Sequence, residues 1–223
     1  MIDLIYCAGG NRRFAEIAIA AGFLYGSQLP ETVYYPIHFA DQDWKKPDRA
    51  VYMAGLATHR PQIATVLDLE RREQLPDVLS WAEEAAAHVE TVIIIPKVSG
   101  IIDEIPHQIA GAGVRLGYSV PTKYGGTDVP IWEFQDRPVH LLGGSPQKQR
   151  TLAHYLNVRS ADGNMIMMMA TRFCSVFDPE RRAADRDLWC TLAEYNGTNG
   201  ADDAPYIAYE ISARNVIDYW RRP

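Results

Sequence analysis

Three aspartates stand at or near the ends of apolar runs: Asp41 in His38-Phe-Ala-Asp41-Gln42-Asp43, Asp68 in Leu67-Asp68-Leu-Glu70 and Asp162 in Ser160-Ala-Asp162-Gly163-Asn164. Carboxylates gathered at one mouth repel, and the repulsion separates their pKa values, so that one serves as a base while another stays an acid or an ionised nucleophile. The competing role is structural, because Asp is a favoured N-cap in short strand-to-helix loops. The other run ends carry Pro96-Lys97, Gly117-Tyr118-Ser119 and Gly143-Gly144-Ser145-Pro146. The last offers unblocked amides before a Pro-led helix, where an anion or the edge of a planar base could approach, and a tight turn alone needs only one of its glycines. Tyr118 could stack on an aromatic ligand, and Tyr124-Gly125-Gly126 opens a loop that could act as a lid. Met165-Ile-Met-Met-Met169 reads as helix core, and His38, His107 and His140 as core or surface residues, since none has a second His or Cys at metal spacing.

The elements that must position these groups alternate. Continuous apolar or β-branched runs at Ile2–Cys7, Val33–Ala40, Ala64–Leu69, Thr91–Ile95, Val114–Tyr118, Pro138–Leu142 and Asn157–Ala161 read as parallel strands covered on both faces. Between them Arg12–Gly22, Asp48–Thr58, Gln74–His88, Ile101–Ala112 and Ser145–Leu156 show helical spacing. In Gln74–His88, Leu75, Val78, Leu79 and Ala82 make one apolar stripe behind Pro76. This βα order allows an open doubly wound sheet or a closed barrel, and in both the ligand sits at the carboxyl ends of the strands. No GxGxxG or GxxxxGK[ST] follows a strand. Arg172–Ala204 reads as helix plus loop, and Tyr206–Trp220 as a last strand turning into a terminal helix. With no linker or repeat, residues 1–223 are expected to form one domain.

Composition narrows the partners. Lys and Arg number 22 against 28 Asp and Glu, a formal charge of −6, which disfavours a broad basic face for nucleic acid and leaves room for a local patch. Cys7, Cys174 and Cys190 are far apart and form no CxxC, so neither a disulfide framework nor a zinc site is indicated and a reducing compartment fits. Apolar runs such as Thr91–Pro96 fall far short of the roughly 20 residues that cross a bilayer, so the expectation is a soluble, cytoplasmic protein with no membrane partner.

The ordered run ends resemble the queuine and archaeosine tRNA-ribosyltransferases and their DNA-directed 7-deazaguanine transglycosylase relatives. Val139-His-Leu-Leu-Gly-Gly-Ser-Pro-Gln-Lys148 is similar to that family's strand, glycine-rich turn and Pro-led helix, and Ser160-Ala-Asp162 to the strand carrying its nucleophilic aspartate. Gly117-Tyr118 resembles the glycine pair that receives the base, Val66-Leu67-Asp68 the strand whose Asp hydrogen-bonds it, and Phe39-Ala-Asp41 the strand whose Asp is the general base. The likeness covers about Val33–Gly163. Asp41-Gln42-Asp43-Trp44 stands where the family has Asp-Ser-Gly-Gly-Phe, Lys97 stands where it has glutamine, and its Cys-rich zinc site and RNA-binding additions have no counterpart.

The resemblance implies a reduced α/β (β/α) TIM-like barrel of parallel strands with an irregular C-terminal part. It implies a base transferase or hydrolase acting on the N-glycosidic bond of a guanine or 7-deazaguanine-type nucleoside unit, free or in nucleic acid. Asp162 would be the nucleophile and Asp41 the acid and base. Asp68, Lys97, Gly117, Tyr118, Gly143, Gly144 and Ser145 would bind substrate. No metal or other cofactor is expected, and DNA or RNA contacts would come from a local patch or a partner protein. The alternatives are a non-catalytic base- or nucleotide-binding subunit of a modification complex and a metal-dependent phosphohydrolase using the same carboxylates.

Overall fold

The computed structural model describes residues 2–7, 9–123, 125–181, 188–197 and 202–222. Its strands are β1 (Asp3–Tyr6), β2 (Leu24–Leu29), β3 (Phe39–Gln42), β4 (Ile63–Leu69), β5 (Thr91–Pro96), β6 (Gln108–Ile109), β7 (Ala112–Ser119), β8 (Pro138–Leu142), β9 (Asn157–Asp162), β10 (Ser175–Phe177) and β11 (Trp189–Thr191). Its α-helices are α1 (Arg12–Ala21), α2 (Arg49–His59), α3 (Leu75–Ala86), α4 (Pro146–Leu152), α5 (Met165–Phe173), α6 (Leu192–Asn196) and α7 (Ala204–Arg221).

Eight strands close a parallel barrel. β1 to β5 pair in sequence, β5 pairs with β7 from Thr91↔Gly113 to Ile94↔Leu116, and β8 and β9 follow. β9 returns to β1 through Asp3↔Ser160 and Ile5↔Asp162, while the short β6 lies antiparallel on β7. The two-residue period then divides the strands. Ile5, Phe39, Ile63, Ile93 and Ile95 form a small inner cluster joined by Cys7, Leu24 and Leu142. Their sequence neighbours Leu4, Tyr6, Ala40, Ala64, Val92 and Ile94 belong to the large cluster under the helices.

Local chemistry sets the helix ends. Asn11 accepts from the N–H groups of Arg13 and Phe14 to start α1, which stops at Gly22 with φ 107°. Asp48 caps α2, and Ser145 caps α4 ahead of Pro146. Helix α3 buries Val78, Trp81, Ala82 and Ala85, so the expected stripe is shifted toward Trp81, and Leu75 and Leu79 lie at its margin.

The eighth strand is one the sequence pattern does not reveal. Leu24-Tyr-Gly-Ser-Gln-Leu29 lacks the apolar run of its neighbours because Gly26 and Gln28 occupy positions that turn inward. A Cβ on Gly26 would come within 2.9 Å of the Phe39 ring. The strand expected at Val33–Ala40 begins only at Phe39. Ile101–Ala112 is a single 3-10 turn at Ile102–Glu104 followed by β6, since Pro106 lacks an N–H and holds Ile105 extended.

The C-terminal part also differs. Tyr206–Trp220 contains no strand: α7 is one 18-residue helix whose buried Ala208, Tyr209, Ser212, Val216 and Ile217 follow helical spacing against α1 and α5. Ser212 accepts from the Phe177 N–H at 2.9 Å and Asn215 donates to the Phe177 carbonyl at 2.7 Å, which ties the antiparallel β10–β11 ribbon to the helix. No helix among the described residues is long and apolar enough to cross a membrane.

Candidate functional site

The carboxyl ends of the barrel strands open on one mouth, and Asp41, Asp68 and Asp162 all face it. None of the three caps a helix: the caps are Asn11, Asp48 and Ser145 for the helices that follow β1, β3 and β8, and α3 and α5 begin without a side-chain cap. A cavity of about 490 Å³ is lined by Asp41, Thr65, Asp68, Glu70, Lys97, Ser119 and Asp162 among others. A second, of about 330 Å³, is lined by Cys7, Gly9, Gln28, Glu31 and Asn164. Asp41, Trp44, Gly143 and Asp162 border both, so the two cavities are lobes of one site divided by two carboxylates.

Each carboxylate has its own surroundings. Asp41, inward on β3, accepts the Thr65 hydroxyl at 2.9 Å and the Gln42 N–H at 3.0 Å. Burial, and after it the negative charge of Asp162, raise its pKa to about 7 against those two hydrogen bonds. Asp68 points inward because the register of β4 on β5 shifts between Thr65 and Asp68, turning the next residue of the strand to the cavity. Its carboxylate lies 3.7 Å from Lys97 Nζ; burial pushes its pKa up, Lys97 pulls it back and Glu70 adds to the rise.

Asp162, the last residue of β9, has Oδ1 3.1 Å from Nε2 of the fully buried His140. Gln149 fixes the adjoining turn by donating to the carbonyls of Gly143 at 2.8 Å and Asp162 at 2.7 Å. Cys7 stays a thiol, since burial together with the charges of Asp41, Asp162 and Glu31 pushes its pKa well up.

The structure brings together Asp41, Asp68, Asp162, Lys97 and Gly143. The other four expected binding residues do not line the two lobes. Alternation along β7 turns Tyr118 outward, where its ring meets Phe134 edge-on at 5.0 Å, so it is not placed to stack on a ligand in the mouth. Gly117 lies beneath the cavity floor; a Cβ there would come within 2.6 Å of Ile95 and 2.8 Å of Leu142, both of which line the first lobe. Gly144, at φ 83°, packs on Val120 with only 2.6 Å for a Cβ, which gives the second glycine a packing reason rather than a ligand. Ser145 accepts from the Lys148 N–H as the α4 cap.

Tyr124 of the expected lid lies outside the described residues, while Gly125 and Gly126 border the first lobe. Sequence reasoning missed His140, Thr65, Gln149 and the exposed Trp44, which overhangs both lobes. The signal for His140 and Thr65 was a polar residue at an inward strand position, visible once strand phase is known. Among the described residues, no three His, Cys, Asp or Glu side chains gather as a metal ion requires.

The model of a protein family described as "Family of unknown function (DUF6610)" matches residues 18–196. The chain belongs to that family. The DUF6610 match runs from α1 to α6 and takes in seven of the eight barrel strands and every carboxylate of the mouth. No curated protein matches the chain.

Proposed function

We propose that this DUF6610 protein is an N-glycosidic base transferase or hydrolase acting on a guanine or 7-deazaguanine-type nucleoside unit. The observation that carries the reading is the pair Asp41 and Asp162, which divides two adjoining lobes and in which burial, and after it the charge of Asp162, raises the pKa of Asp41. A ligand cleaved between two parts needs a lobe for each part and the reacting groups at the boundary.

In the first lobe, the Asp68 carboxylate accepts from the ring N–H and exocyclic amine of the base, while Lys97 donates to its carbonyl and offsets negative charge on the departing ring. Asp162 attacks the anomeric carbon, so that a carbon–oxygen bond forms as the carbon–nitrogen bond breaks and its electron pair goes to the base. With a pKa of about 7, Asp41 is partly protonated at neutral pH, gives its proton to the leaving ring nitrogen, and takes one back from the incoming base or water.

A panel of guanine- and 7-deazaguanine-bearing nucleosides and oligonucleotides tests this. Wild type releases or exchanges the base from at least one, Asp162→Asn binds it without turnover, and Asp68→Asn loses chiefly binding. No release or exchange across the panel by the folded wild type would leave a non-catalytic binding subunit as the better account.

A further inference from the structure

The barrel interior contains a polar chain that ends on Asp162 and whose other members the proposed reaction leaves unused. Asp162 Oδ1 is 3.1 Å from His140 Nε2, His140 Nδ1 is 2.7 Å from Ser160 Oγ, and Arg115 Nη1 is 2.8 Å from the same oxygen. The four residues come from three neighbouring strands, β9, β8 and β7, at inward positions. Farther down, Arg115 lies 3.9 Å from Asp3, whose carboxylate is 3.7 Å from His38 Nε2. Phe39 stacks on the His140 ring with centroids 5.1 Å apart and planes at 23°, which holds the imidazole in place.

The direction of the chain follows from donor inventory. A guanidinium only donates, so Ser160 Oγ accepts from Arg115, and its one proton is available to His140 Nδ1 when the ring is the Nε2–H tautomer. The neutral ring then carries its own proton on Nε2, which donates to Asp162. Every donor thus points toward the mouth.

We infer that His140, set by Ser160 and Arg115, is a positioning residue for Asp162: it occupies Oδ1 and leaves Oδ2 as the reacting oxygen. The other titratable groups around Asp162 are Asp41 from β3, Cys7 just after β1 and Glu31 from the loop after β2, with Asp68, Glu70 and Lys97 in the first lobe. Those facing the rest of the chain are Asp3, His38 and Arg159. Four of the neighbours, Asp41, Glu31, Asp68 and Glu70, are carboxyl groups that oppose the Asp162 charge, and the His140 N–H supports it. The kinetic part of this inference rests on the glycosyl-transfer reading. When the C1′–Oδ2 bond breaks, its electron pair returns to the carboxylate, and a hydrogen-bonded carboxylate is the better leaving group, so loss of His140 slows release from Asp162.

NMR of the full chain labelled with ¹⁵N-histidine and ¹³C-aspartate tests the inference without needing turnover. Wild-type His140 is expected to show a protonated Nε2 and an unprotonated Nδ1. In His140→Leu the Asp162 carboxyl signal should move at fixed pH as it loses the Nε2–H donor, His140→Gln should restore most of that change, and Ser160→Ala should give a smaller one. On a turned-over substrate, His140→Leu should lower kcat about tenfold and KM with it, because the slowed step follows covalent capture, and His140→Gln should recover both. A His140 protonated on Nδ1, or an Asp162 carboxyl signal unmoved in both His140→Leu and Ser160→Ala, overturns the inference. If His140→Leu does not fold, the wild-type tautomer and Ser160→Ala decide. The expected NMR signals without turnover on any substrate support the positioning role and overturn the glycosyl-transfer reading alone.

Discussion

Replacing Asp41 by Asn should make the protein more stable at alkaline pH, although it removes a charged group from a polar site. The unfolded chain ionises this carboxyl near its ordinary 3.8, and the folded protein near 7. The native state therefore holds a proton that the unfolded state has released, so the contribution of Asp41 to stability is fully present below the unfolded value and is lost as pH rises through the folded one. At about 1.4 kcal/mol per pH unit, the interval corresponds to about 4 kcal/mol, an upper figure because Asp162 is coupled to the same proton. Asn keeps an oxygen to accept from Thr65 and Gln42 and has no proton to lose. Urea unfolding of both proteins between pH 4 and pH 9 measures the effect. Stability of the wild type relative to Asp41→Asn should fall from about pH 4 to pH 8, and the difference should shrink when Asp162→Asn is added to both. Parallel curves for wild type and Asp41→Asn would refute the claim that burial beside Asp162 governs this carboxyl.

Three further outcomes follow from the same geometry. Lys97→Met should raise the pKa of Asp68 further, because Lys97 is what draws it down, and an NMR titration of that carboxyl reads the direction. Gly117→Ala should destabilise by about 1–3 kcal/mol in thermal or chemical unfolding, because its Cβ meets Ile95 and Leu142 inside the barrel. Ser145→Ala should cost about 1 kcal/mol of stability as a lost cap while base affinity, followed by calorimetry, stays the same.

Much of this architecture is legible in the sequence, and what escapes does so for physical reasons. Strands covered on both faces by apolar residues, such as Thr91–Pro96 and Pro138–Leu142, announce themselves, and the aspartates at their ends can be placed at one mouth by topology alone. Strand β2 escapes because inward positions filled by Gly26 and Gln28 erase the apolar run, and Ile101–Ala112 misleads because its buried isoleucines mimic a helix that Pro106 forbids. The site divides in the same way. Asp41, Asp68, Lys97 and Asp162 are visible as charges at strand ends, whereas Tyr118 and Gly144 fail because inward or outward orientation depends on strand phase and on Val120 across the turn. His140 is hidden by the same ambiguity, since one histidine in an apolar strand looks alike on either face until Ser160 and Asp162 are known to flank it.

The proposed attack of Asp162 on the anomeric carbon is tested by the mass of the protein after incubation with a guanine- or 7-deazaguanine-bearing substrate in the absence of an acceptor base. The expected product is a glycosyl ester that raises the intact mass by the sugar-bearing fragment, maps to the peptide containing Asp162, disappears when an acceptor base is added, and is missing from Asp162→Asn. Base release by wild type with no adduct at any time of quenching, or an adduct of equal yield in Asp162→Asn, would contradict it.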